Sequence, residues 1–155
     1  KLPRVNVIHN FNKFPYPFRA NTFNHIIAEN IIEHLEDVPK VLEEIHRISK
    51  NKAYIFIKTG HFTSVDSFTD PTHKHFFTSR SFDYFIEGED LFKYKYLKDK
   101  FRKISVRLGP PSSRNTFVRL LLHIINKYPV FYEKHFAYLI PVGVITYELS
   151  VEKEK

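Results

Sequence analysis

The stretch Ala28-Glu29-Asn30-Ile31-Ile32-Glu33-His34-Leu35-Glu36-Asp37-Val38-Pro39-Lys40-Val41-Leu42-Glu43-Glu44-Ile45-His46-Arg47-Ile48 decides how this chain is read. Its second half is an amphipathic helix. Asp37 has the short carboxylate that suits an N-cap, and Pro39 is tolerated in the first turn, where its missing N–H would have no helical partner. Val38, Val41, Leu42, Ile45 and Ile48 follow at helical spacing, with Lys40, Glu43, Glu44 and Arg47 on the other face. Asn51 offers a left-handed residue to end the helix. Two β-prone runs flank it: Phe23-Asn24-His25-Ile26-Ile27-Ala28 before, and Ala53-Tyr54-Ile55-Phe56-Ile57 after. The first half of the chain is therefore α/β in character.

Upstream, Val5-Asn6-Val7-Ile8 reads as a short strand ending near His9-Asn10, and the prolines of Phe14-Pro15-Tyr16-Pro17-Phe18 force an extended loop. Downstream, residues 60–77 form a polar, histidine-rich loop. Ser79 is placed to cap a short helix over residues 81–85. Residues 101–108 alternate with period two, as a half-buried strand does. Pro110-Pro111-Ser112-Ser113 is a turn, residues 117–125 and 132–139 read as helices, and residues 142–151 alternate again. The charged end, residues 152–155, is expected to fray. No internal repeat is visible.

The totals bound the function classes. At 155 residues the chain suits one globular domain, and the absence of cysteine excludes disulfides and thiolate chemistry. No run of about 18 apolar residues marks a membrane span, and the N-terminus lacks a signal-like apolar stretch; a cytoplasmic protein is the default expectation. A net charge of +7 invites a nucleic-acid reading, but the basic residues are spread along the chain, and even the dense run over residues 93–103 reads as a solvated face. Residues 117–139 carry an apolar face flanked by Arg119, His123, Lys127 and Lys134, which suits a membrane surface or, more simply, packing on the last two strands. There is no methionine, and the four glycines (Gly60, Gly88, Gly109 and Gly143) are isolated.

Taken in order, residues 14–18, 21–24 and 28–48 resemble the methyltransferase type 11 family, with its loop, strand, Glu-His-Leu-Glu-Asp helix and following strand. The resemblance is dense over residues 10–57. It implies a Rossmann-like class I sheet of seven strands in the order 3-2-1-4-5-7-6, with S-adenosylmethionine over the carboxyl ends of the strands. Residues 5–8 would be strand 3, residues 23–28 strand 4, residues 53–58 strand 5, and residues 101–108 and 142–151 the closing antiparallel pair, strands 6 and 7. Strands 1 and 2, with the glycine-rich cofactor turn, have no counterpart here. Residues 1–151 are thus expected to be the C-terminal portion of a methyltransferase domain, N-terminally truncated and inactive alone. In the intact protein the implied function is methyl transfer to a small-molecule or glycan-type acceptor. The alternative is a non-catalytic binding module, either a degenerate methyltransferase or a basic RNA-binding domain. Three positions depart from the family pattern: Asn10 and Asn24 replace aspartates, and Lys52-Ala53 replaces a glycine pair.

The same resemblance puts Asn10 and Phe11 beside the cofactor's adenine, unless they merely end a strand, and Ala28, Glu29 and Asn30 beside its methionine part. Glu33-His34 either supplies a base or holds the turn, the structural role being preferred. The loop after strand 5 overhangs the same sheet edge. His73 is the first choice for a base that takes the acceptor's proton, with Asp70 as its orienting partner, and His61, His75 and Phe76 are expected against the acceptor. His73 and His75 with Asp66 or Asp70 are acceptable ligand types for zinc or iron. Their spacing alone does not specify a site, and no metal is expected.

Overall fold

The computed structural model describes residues 6–98, 100–110 and 114–153. Four strands, β1 (Phe23–Glu29), β2 (Ser49–Gly60), β3 (Lys100–Leu108) and β4 (Val144–Glu152), form one sheet in the order β1-β2-β4-β3. β1 and β2 are parallel, and β4 runs antiparallel to both β2 and β3. This is the 4-5-7-6 order expected from the resemblance, including its closing antiparallel pair. The helices are α1 (Val38–Ile48), the single turn α2 (Asp66–Thr69), α3 (Thr116–Lys127) and α4 (Pro129–His135).

α1 starts where the sequence says it should: the Asp37 carboxylate accepts from Lys40 N at 3.0 Å. Its buried stripe of Val38, Val41, Leu42, Ile45 and Ile48 joins Ile55 and Ile57 of β2 and Ile145, Tyr147 and Leu149 of β4 in the core. Tyr147 is fully buried, which holds its hydroxyl pKa well above the ordinary tyrosine range. Its Oη donates to Thr78 O at 2.5 Å, which offsets the cost of burying the hydroxyl.

Several expected boundaries move. Residues 6–8 belong to no strand, and Val5 lies outside the described residues. In the family's strand order that segment pairs with strand 2, which has no counterpart here, and Ile8 stands 86% exposed. Asn51 does not end α1. The helix passes directly into β2 at Ser49, and the left-handed residue is Lys52, at φ 64°. The short helix after Ser79 is a 3-10 turn, Asp83–Phe85, that Ser79 does not cap; Ser79 instead donates to Glu133. The last strand runs through Glu152, whose carbonyl meets His46 Nε2 at 3.0 Å. Of the expected turn, residues 111–113 lie outside the described residues. Among the described residues no helix is long and apolar enough to cross a membrane.

Candidate functional site

Two hollows adjoin β1. The first is an apolar groove of about 420 Å³ between β1 and α1, lined by Phe11, Tyr16, Ile26, Ala28, Val41 and Ile45 among others. Its outer wall is the aromatic loop after residue 10, where Phe11 and Tyr16 meet edge-on at 5.4 Å. Glu44 anchors that loop, accepting from Tyr16 N at 2.6 Å and from Arg47 Nε at 2.6 Å. Arg47 passes the connection on by donating to the carbonyls of Phe18 and Tyr16. The hydrogen bond from Arg47 holds the Glu44 carboxyl below its ordinary range, and burial, with the charge of Glu44 beside it, pushes the Tyr16 hydroxyl up to about 12.

The second hollow lies at the carboxyl ends of β1 and β2, has about 410 Å³, and is polar: Asn30, Glu33, His34, Lys58, Thr59, Asp70 and His73 face it. Gly60 closes its floor. A Cβ there would stand 2.3 Å from the Ser67 hydroxyl oxygen, so a larger residue would turn that hydroxyl away from His61 O, to which it donates. Ser67 in turn fixes His73, whose Nδ1 lies 3.0 Å from Ser67 O. A carbonyl can only accept, so Nδ1 carries a proton, and in the neutral ring the lone pair is on Nε2. His34 is fixed likewise. Thr72 Oγ1 gives its single proton to Asp70 Oδ1 at 2.7 Å, so at 2.9 Å from His34 Nδ1 it can only accept, and His34 Nε2 is also left with a lone pair. The two imidazoles meet edge to face at 4.6 Å. Asp70 also accepts from Thr72 N, and these bonds to Thr72 hold its carboxyl below the ordinary range.

Glu33 is the member whose role the sequence left open. Its residue is 4% exposed, its carbonyl receives Lys74 N and His75 N from the histidine loop, and its Oε2 is buried with no hydrogen-bond partner. Thr59 Oγ1, on the same hollow, is also buried and unpartnered. Buried polar atoms of this kind are few in folded proteins and ask for a partner.

The predicted site residues divide accordingly. His73, Asp70 and Asn30 come together at the polar hollow, while Phe11, Ala28 and Glu29 line the apolar groove. Asn10 is exposed, its carboxamide oxygen accepting from Asn12 N. Asp70 does not touch the His73 ring: it reaches His34 through Thr72, and Ser67 orients His73. His61 has no exposed surface. It bonds Glu133 and Thr63 and so ties the loop to α4. His75 Nε2 donates to Leu35 O, and Phe76 stacks on Phe68 at 4.5 Å. Ser67 and Thr72 were not among the expected site residues, and His34 was expected to hold the turn. The Glu33-His34 pair was the one signal available, and its link to residues 67–73 is tertiary.

Residues 3–57 match the methyltransferase domain family. Among solved structures, a SAM-dependent methyltransferase from Archaeoglobus fulgidus superposes with a TM-score of 0.58 at 17% identity, over 93% of this chain and 66% of that one. The fold is that of a class I methyltransferase. A Haloferax volcanii protein solved in complex with the Trm112 methyltransferase activator gives 0.56 at 10% identity, covering 96% of this chain and 61% of that one. An S-adenosylmethionine-dependent methyltransferase from Mesorhizobium loti gives 0.53 at 12% identity, over 92% and 67%. The chain spans less than two thirds of the length of the first two of these methyltransferase-fold structures. No curated protein matches the sequence significantly.

Proposed function

We propose that the protein transfers a methyl group from S-adenosylmethionine to a small polar acceptor, of small-molecule or glycan type, seated in the polar hollow. The observation that carries this reading is the polar hollow itself. It opens at the carboxyl ends of two parallel strands, where open α/β sheets bind ligands, and it presents an imidazole nitrogen with a free lone pair. The residues present fit one side of the cofactor. Phe11 and Ala28 wall the groove beside β1, and the turn Ala28-Glu29-Asn30, with Asn30 at φ 49°, leads from the groove to the hollow. Asn10, next to Phe11 in sequence, is exposed, and its carboxamide would meet the adenine.

The cofactor supplies an electrophilic methyl group on a sulfonium. The chain's own part is placement and proton handling. An acceptor hydroxyl or amine, held in line with the methyl carbon, forms the new bond as the carbon–sulfur bond breaks, and its proton passes to His73 Nε2. Ser67 keeps His73 in the tautomer that can take it. Asp70, through Thr72, holds His34 against the His73 ring, while His61 and His75 brace the loop and Phe76 stacks on Phe68.

The test is binding of S-adenosylhomocysteine by calorimetry and transfer of label from methyl-tritiated cofactor to a small-molecule extract, using the protein in its full-length form. Binding and transfer are expected, with His73→Gln lowering transfer by a factor of about 10² or more while binding persists. Absence of S-adenosylhomocysteine binding would sink the enzymatic reading in favour of a binding module.

A further inference from the structure

We infer that Glu33, His34 and His73 form a binding site for one divalent transition-metal ion, zinc being the best match to the ligand set. The inference rests on reading the polar hollow as the acceptor site, and it adds an ion to that site.

Three independent observations converge. One ligand atom from each of Glu33, His34 and His73 lies within 4.8 Å of the other two, so a small shift brings all three to coordination distance of a single point. The hydrogen bonds already select, in the neutral rings, the tautomers a metal needs. Both Nδ1 atoms are committed as donors, His73 to Ser67 O and His34 to Thr72 Oγ1, which leaves two Nε2 lone pairs. Outer hydrogen bonds of this kind are what orient metal-bound histidines, and behind His34 the chain of hydroxyl and Asp70 carboxylate repeats the pattern. Finally, Glu33 Oε2 is buried without a hydrogen-bond partner in a residue only 4% exposed. A carboxylate oxygen in that position needs a cation or a proton, and an ion between the two imidazoles supplies the first.

Two histidines and a glutamate make a three-ligand set that leaves a fourth position open, as in catalytic zinc sites. Here the open position faces the hollow that also holds Thr59 and Lys58. An acceptor hydroxyl bound there would be polarised by the ion, which lowers its proton affinity directly. In the ion-loaded protein His73 is therefore a ligand, and the proton it would otherwise take leaves from the polarised hydroxyl to solvent.

The set differs from the one the sequence suggested. His75, two residues on, donates its Nε2 proton to Leu35 O and takes no part, while Glu33 and His34 arrive from the turn before α1. A second acidic group, Asp83, Glu89 and Asp90, is already neutralised by Arg80 and Lys103 and makes no comparable site.

The experiment is titration of chelator-treated protein with Zn2+ by calorimetry, and with Co2+ by visible absorption, with neither cofactor nor acceptor present. One ion per chain is expected, with cobalt bands of a four- or five-coordinate site. Glu33→Gln, His34→Gln and His73→Gln should each weaken binding at least tenfold, while His135→Gln, on the exposed end of α4, binds like the wild type. Nitrogen-15 spectra of the unmutated protein guard against misfolded variants: zinc should shift Nε2 of His34 and His73 and leave His61 and His75 in place. No saturable binding, binding that survives His73→Gln, or shifts confined to other histidines overturns the site. S-adenosylhomocysteine binding with no metal binding would overturn this inference alone and leave the proposed activity standing.

Discussion

The two hollows beside β1 have nearly the same volume, about 420 and 410 Å³, and almost opposite chemistry. The groove is walled by the stripe of α1 and by aromatic rings, so its residues do in the open what core residues do when covered. The polar hollow is walled by histidines, carboxylates and hydroxyls, several of them held by one another, with Glu33 Oε2 and Thr59 Oγ1 left without a partner. They are also fastened differently. The groove's loop is tied to α1 by the Glu44–Arg47 pair and to the turn before it by Glu36 N, which donates to Asn12 Oδ1, whereas the histidine loop is held through His61, Ser79 and Glu133 to α4. The comparison teaches that apolar shape here comes from element packing, while polar geometry needs long-range ties of its own.

The largest effect should come from β2, which lines the polar hollow and pairs with β1 beside the groove. Ile57 of β2 is fully buried, and Ile57→Ala should cost about 3 kcal/mol, through lost transfer energy and the cavity left behind. Denaturant unfolding followed by hydrogen exchange should show both loops losing protection together; separate transitions would mean the hollows belong to different cooperative units. Next comes Glu133→Ala, which strips the acceptor from Ser79 N, Ser79 Oγ and His61 Nε2 at once, all in a region with little water. A loss of roughly 2–3 kcal/mol is expected. Exchange should rise over residues 61–79 and stay unchanged over residues 14–18; a uniform rise would erase the distinction between the two fastenings.

The groove's fastening is weaker and sensitive to acid. Glu44 has a depressed carboxyl pKa in the folded protein, because Arg47 and Tyr16 N bond its charged form. A depressed carboxyl contributes its full stability above the unfolded value, about 4.3 for glutamate, and loses it as pH falls through the lower folded value. Exchange at the Tyr16 amide should therefore accelerate below about pH 4, ahead of the histidine loop's, and Glu44→Gln should remove about 1.5 kcal/mol at neutral pH and abolish that acid step. An acid step that persists in Glu44→Gln would assign it to another carboxyl.

How much of this was legible in the sequence follows the same division. The α1 stripe, the Asp37 cap and the alternating strands are local periodicities, and the structure repeats them within a few residues. The sheet order came from the resemblance, since periodicity says nothing about which strands are neighbours. At the polar hollow the sequence singled out a loop that lines it, and His73 faces the cavity. It could not say that His75 turns to Leu35 O, that His61 is bound by Glu133 across 72 positions, or that Glu33 and His34 close on His73. Those facts depend on where the chain returns, and Gly60, which leaves room for the Ser67 hydroxyl, carries that information only once the loop is folded. Residues 6–8 form no strand for a related reason: a β-prone run becomes a strand only when another strand offers it a ladder.

The smallest effect tests whether local and long-range order are separable here. Asp37 begins α1 between the two hollows. Its carboxylate accepts from Lys40 N, and its carbonyl from Val41 N. Asp37→Ala removes the first bond and leaves the second, so a loss of about 1 kcal/mol is expected, and Asp37→Asn should recover most of it because an amide oxygen also accepts. The first turn of α1 carries Val41, which lines the groove, but it places none of Glu33, His34 or His73. Thermal unfolding should register the loss, amide exchange should localise it to Lys40 and its neighbours, and zinc titration of the variant should match the wild type. A parallel loss of metal binding would show that the turn holding Glu33 and His34 takes its order from α1 and not from the histidine loop, and the two hollows would then be one site with a common support.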